Sequence, residues 1–155
     1  MNIGASVAVW VVRVLLNGTF YSKVFGSRLA PVAAAHPGIF KQNIAGHVVA
    51  DLIFAIAFAF LFAKVGNALG GGVKAGVTLG IVVAILSSVV GALHQFFAFA
   101  FLSVGLTSIE VIFQMIAHAI EGAVAGAIYD DLCGYIRCHR VYAELRRRHP
   151  IRPCG

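Results

Sequence analysis

Charge is scarce in this chain. Asp, Glu, Lys and Arg make up 12% of its 155 residues, against roughly 25% in soluble domains. Hydrophobic residues make up 60%, and the mean hydropathy is +0.91. These values argue against a water-soluble domain and point to an integral membrane protein. The apolar runs are continuous rather than alternating, which argues against a transmembrane barrel. No CxxC pair is present, so a thiol–disulfide membrane enzyme is disfavoured. The N-terminus lacks the basic region of a signal peptide, and Arg13 interrupts its apolar run, so it reads as a retained first helix. No nucleophile–base pattern is evident, and Ser87-Ser88 with His94 matches no familiar arrangement. An enzyme is therefore the less favoured reading.

A membrane-spanning helix takes about 20 mostly apolar residues. Four such stretches fall near residues 4–22, 44–64, 75–102 and 108–129. They predict an all-α fold, with one four-helix bundle over residues 1–131 and a basic tail over 132–155. The net charge is +6, and its placement is uneven. Arg137, Arg140, Arg146, Arg147, Arg148 and Arg152 follow the last stretch, while Lys64 and Lys74 flank the second connection. Lys23, Arg28 and Lys41 lie in the first connection, and the third has neither Lys nor Arg. The positive-inside rule then places the C-terminus and the second connection in the cytoplasm, and four spans return the N-terminus to that side. The tail is not read as a nucleic-acid patch. It is a topology determinant whose Arg146, Arg147 and Arg148 touch anionic lipid headgroups.

The connections carry turn chemistry. Residues 23–43 form the longest, with Ala30-Pro31 and His36-Pro37-Gly38 marking turns or a short re-entrant piece. Gly70-Gly71-Gly72 marks a flexible loop and Gly105-Leu106 a tight turn. Thr107-Ser108-Ile109-Glu110 then fits a capping box that opens the fourth helix. Residues 130–148 read as a basic helix, either continuing the fourth span or lying at the interface. Gly76 and Gly80, and Gly122 and Gly126, stand four apart, a spacing that lets helices approach closely within the bundle. Cys133, Cys138 and Cys154 are reduced thiols by default in the cytoplasm. With His139 and His149 they also offer a metal clip.

Every apolar stretch carries polar residues at helical spacing. Arg13, Asn17 and Tyr21 share a face of the first, and His47 and Asp51 share one of the second. Ser87, Gly91 and His94 share a face of the third. Glu110, Gln114, His118 and Glu121 form a stripe on the fourth. Ionisable groups within a membrane are costly and face a bundle interior or a wet cavity. Counting about 1.5 Å per residue from the turns brings Arg13, Asp51, His94, Gln114 and His118 to one depth, with Glu121 deeper. The phenylalanines of the second and third stretches, among them Phe54, Phe58, Phe60, Phe62, Phe96, Phe97, Phe99 and Phe101, read as lipid-facing or packing residues. Trp10 and Tyr129 fit interface anchors if the spans shift slightly.

Three chemistries fit such a core. Two histidines at one depth on antiparallel helices, His94 and His118, are candidate axial haem ligands. With Asp51 or Glu121, and with His47 one turn away, they are candidate ligands of a transition metal. The stripe from Glu110 to Glu121 could carry protons. In the third reading Arg13 neutralises Asp51 and the remaining groups hydrogen-bond between helices. Glu110 is then a cap rather than a relay. This third reading leads, and it makes the protein a non-catalytic accessory or assembly subunit of a larger membrane complex. A redox, metal-binding, haem-binding or proton-handling core at His94 and His118 is the alternative. Membrane lipids and other membrane subunits, or further copies of the chain, are the expected partners.

The segment Gly18-Thr19-Phe20-Tyr21-Ser22-Lys23-Val24-Phe25-Gly26 resembles the end of the first helix in a family of small bacterial four-helix integral membrane proteins. There an aromatic–Tyr pair is followed by Phe-Gly. Phe20 stands where that family usually has tryptophan, and a second tryptophan after Phe-Gly is missing. The resemblance implies a four-span fold in the bacterial inner membrane, implies no activity, and does not reach the histidines.

Overall fold

The structure is a computed structural model that describes residues 2–35, 43–98 and 103–148, with side chains through Asp130. The described residues form helices and no strand. Helix α1 spans Ile3–Thr19 and passes through a π-helical turn, Phe20–Phe25, into α2, Gly26–Ala35. Helix α3 spans Ile44–Val65. Helix α4, Gly72–Val83, passes through a second π-helical turn, Ala84–Val89, into α5, Val90–Ala98. Helix α6 is one uninterrupted helix from Val104 to Arg148. Among the described residues four segments are long and apolar enough to cross a membrane: Ile3–Ala35, Ile44–Val65, Gly72–Ala98 and Val104–Asp130.

Local chemistry explains most boundaries. The Asn2 side chain accepts from the Ala5 amide at 3.4 Å, and that of Asn43 from Gly46 at 2.9 Å. Each satisfies one of the orphan donors of a helix start. Gly70, Gly71 and Gly72 all have positive φ. Three successive left-handed residues are open only to glycine at low cost, and they reverse the chain between α3 and α4.

Two expectations need correction. Ala30-Pro31 is not a turn, because Pro31 lies inside α2. The first helix continues for 33 residues, a length of about 50 Å. The His36-Pro37-Gly38 turn lies outside the described residues. Nor is Thr107 the start of the fourth helix. Ser103 holds that place, its hydroxyl accepting from the Leu106 amide at 3.2 Å, so the helix opens through Gly105 and Leu106 instead of turning there. The basic helix at 130–148 is a direct continuation of the fourth span. Its cysteine, histidine and arginine side chains, and residues 149–155, lie outside the described part of the molecule.

The helices pack in two ways. Helix α4 meets α6 through glycine. A Cβ on Gly76 would run into the Gly122 carbonyl, one on Gly80 into the His118 carbonyl, and one on Gly126 into the Gly72 carbonyl. Helix α1 instead packs on α3 and α6 through side chains. The main apolar cluster joins Val9, Ala55, Phe58, Phe62, Leu79 and Ala125, drawn from α1, α3, α4 and α6. A second cluster, Phe20, Phe25 and Leu106, sits at the other end, where Phe20 stacks on Phe113 at 3.7 Å between ring centroids. The outward surface is apolar: Ile3, Val7, Val11 and Leu15 line α1 at every fourth position, and Ile112, Ile116 and Ile120 do so on α6.

Candidate functional site

The polar faces of α1, α3 and α6 meet between the two apolar clusters. Arg13 organises them. Its Nε donates to Asp51 Oδ1 at 2.8 Å, and its Nη1 donates to both Glu121 oxygens at 3.1 and 3.2 Å. One guanidinium thus ties three helices. Its plane also lies over the Phe54 ring, 3.7 Å from the centroid, a cation–π contact that strengthens when desolvated. Asn17, one turn along α1, donates from Nδ2 to the same Asp51 oxygen at 3.1 Å. Arginine suits this position because its planar fork serves two carboxylates at once.

A ladder leads away from this triad along α6. His118 and Glu121 are completely buried, and Gln114 is 8% exposed. His118 Nδ1 lies 2.8 Å from the Gln114 carbonyl oxygen. A carbonyl can only accept, so Nδ1 carries the hydrogen and Nε2 holds the lone pair of the neutral ring. The ring also packs edge-on against Phe54, with centroids 5.1 Å apart. Gln114 Nε2 donates to the Tyr21 hydroxyl at 3.1 Å, and that hydroxyl donates to Glu110 Oε1 at 3.0 Å. Tyr21 and Glu110 form the exposed end.

Of the residues singled out from sequence, Arg13, Asp51 and Glu121 come into direct contact, and Gln114 and His118 adjoin them on α6. His94 lies apart: it is exposed on α5, as is Gln95 beside it. His47 is exposed on α3, one turn before Asp51. His94 and His118 therefore do not face one another. Among the described residues no group of three or more His, Cys, Asp or Glu is placed to hold a metal ion. Glu110 is not the helix cap, because Ser103 is; it receives Tyr21 instead.

Sequence reasoning missed the role of Phe54, which joins Arg13 to His118. It noted Asn17 and Tyr21 on the face of Arg13 without placing them in the cluster. Their i, i+4, i+8 spacing was the available signal. Trp10 and Tyr129 also have interhelical duties. Trp10 Nε1 donates to the Val48 carbonyl at 3.2 Å. The Tyr129 hydroxyl accepts from the Asn2 amide and donates to the Ala59 carbonyl, both at 3.1 Å.

Comparison of the chain with family models, curated proteins and solved structures gives no match.

Proposed function

We propose that the protein is a multi-pass, non-catalytic membrane subunit whose buried polar core holds its own helices together while an outward polar face engages a partner. The observation that carries this reading is the Arg13 bridge, which links α1, α3 and α6 through Asp51 and Glu121. In a membrane, lipid tails are as apolar as leucine, so helix association rests on close packing and polar contacts. This chain supplies both, with glycine contacts for α4 on α6 and the ion triad for the other three helices.

The partner side of the reading rests on α5. His94 and Gln95 are exposed on an otherwise apolar helix and bond to none of the described residues. Polar side chains at such positions are satisfied by another subunit or at the headgroup level. The chain is read as lying in the bacterial inner membrane with both termini in the cytoplasm. Lys64, Lys74 and the arginines after Asp130 support that orientation against Lys23 and Arg28 at the other end.

Mild-detergent purification followed by native mass spectrometry tests the proposal. A stoichiometric membrane partner is expected, lost in a His94→Leu/Gln95→Leu double variant that still folds. A chain carrying stoichiometric haem or metal and no partner would overturn it in favour of a redox function.

A further inference from the structure

The geometry points to the polar core being a one-proton binding site that opens toward the Glu110 face of the bundle and is closed toward the Lys64 end. Three observations lead there, and they are independent of the partner proposed above.

The first is a count of charge. The groups facing the core are Arg13 and Tyr21 from the first helical segment, Asp51 from α3, and Glu110, His118 and Glu121 from α6. Helix α4 contributes Leu79 and the backbone of Gly80, with no ionisable side chain. At the centre, one guanidinium serves two carboxylates. The triad is one positive charge short of neutral, in a place where an uncompensated charge is costly.

The second is a count of donors. Asn17 gives one amide hydrogen to Asp51 and Gln114 one to Tyr21, Tyr21 donates to Glu110, and His118 gives its Nδ1 hydrogen to the Gln114 carbonyl. Of the four buried side-chain atoms left without a partner among the described residues, one, Asn2 Nδ2, lies at the start of α1; the three in the core are Asn17 Oδ1, Gln114 Oε1 and His118 Nε2. All three are acceptors once the ring and amide orientations follow the network. Two of them belong to residues more than nine-tenths buried. The triad is therefore short of positive charge, and three acceptors beside it receive no hydrogen bond. One added proton supplies both: on Nε2 it makes an imidazolium with two donors, and on a carboxylate it makes a hydroxyl donor. The proton comes from bulk water, and no other bond forms or breaks.

The third is sidedness. Exposure falls along the ladder from Tyr21 and Glu110, through Gln114, to His118 and Glu121. Beyond Glu121 the interior is apolar: Val9, Ala55, Phe58, Phe62, Leu79 and Ala125 close the core toward the Lys64 end. The polar path enters the bundle and stops. The side chains of Arg13 and Asp51 keep 13% and 14% exposure beside that path, and toward the Lys64 end the site is closed, so it is not a conduit.

The test uses the full chain in oriented vesicles, with pH set separately on each face. Infrared difference spectra of ¹³C-glutamate protein and ¹⁵N-histidine NMR report the proton directly. Acidification at the Glu110 face should change the signals assigned to the Glu121 carboxyl and the His118 imidazole; the same step at the Lys64 face should leave those two unchanged. Before acidification the NMR should show His118 neutral with hydrogen on Nδ1. Uptake by Glu121→Gln should fall short of wild type by about one proton per chain. Wild-type spectra that do not respond to pH would overturn the proposal without any variant having to fold. So would an equal response from both faces, or a signal that follows sodium or potassium at fixed pH.

Discussion

Arg13→Met removes the guanidinium but keeps an unbranched apolar stem in its place. Its cost can be worked from the contacts. Asp51 would keep the Asn17 amide at 3.1 Å. Glu121 would lose both of its hydrogen bonds and keep no described donor. The Glu121 side chain has no exposure, and those of Arg13 and Asp51 have 13% and 14%, so water does little to screen the loss. Removing one partner of a buried ion pair costs about 3–5 kcal/mol, whereas a hydrogen bond between membrane helices averages about 0.6 kcal/mol. The stranded Glu121 carboxylate should therefore dominate. Glu121→Leu, added to Arg13→Met, should then recover most of the lost stability, because an apolar replacement of a whole buried ion group is close to neutral. Asp51→Asn in the same background should recover less. Denaturant titration in detergent micelles can be followed through Trp10, the chain's one tryptophan, which lies a turn before Arg13. The reasoning is refuted if Arg13→Met stays within about 0.5 kcal/mol of wild type, the range of an uneventful surface change, or if Asp51→Asn rescues better than Glu121→Leu.

Other positions give sharper yes-or-no outcomes. Gly122→Ala drives a Cβ into the Gly76 backbone carbonyl, which cannot swing aside, and should cost about 1–3 kcal/mol or more; Gly91→Ala, with open space around it, should leave the melting midpoint nearly unchanged. Tyr21→Phe removes the hydroxyl between Gln114 and Glu110 and should cost about 1 kcal/mol, read by the same titration. Ser103→Ala should cost about 1 kcal/mol and speed hydrogen exchange at the Leu106 amide, while Thr107→Ala should do neither.

Much of this arrangement is legible in the sequence because it obeys the period of 3.6. The stripes Arg13-Asn17-Tyr21 and Glu110-Gln114-His118-Glu121 are read directly, and antiparallel counting brings Arg13 to Asp51. Gly76, Gly80, Gly122 and Gly126 also do what their spacing says. The period fails where the helix is not α. Across the π-helical turn Ala84–Val89 an extra residue per turn rotates the rest of that segment by about 100°. The inward positions after Ala84 become Ala92, which is buried, and Phe96, which is half-buried. An unbroken α-helix would have turned Gly91, His94 and Gln95 inward. The same effect brings Phe20 and Phe25, five residues apart, into one cluster. Composition carries no warning of either turn. Phe54 was illegible for another reason: an aromatic ring among many in an apolar helix shows no sign that a cation will cover it.

The unbroken course of α6 has a mechanical consequence. The helix is gripped where Gly122 and Gly126 press against α4, and it runs on to Arg148, about 33 Å beyond that grip. It is a lever with its fulcrum next to the triad. A tilt of about 10° at the glycines sweeps the far tip through roughly 6 Å, on a rod that rises about 1.5 Å per residue. A rearrangement too small to notice around Glu121 would reach the arginines at the tip as a displacement the size of a side chain.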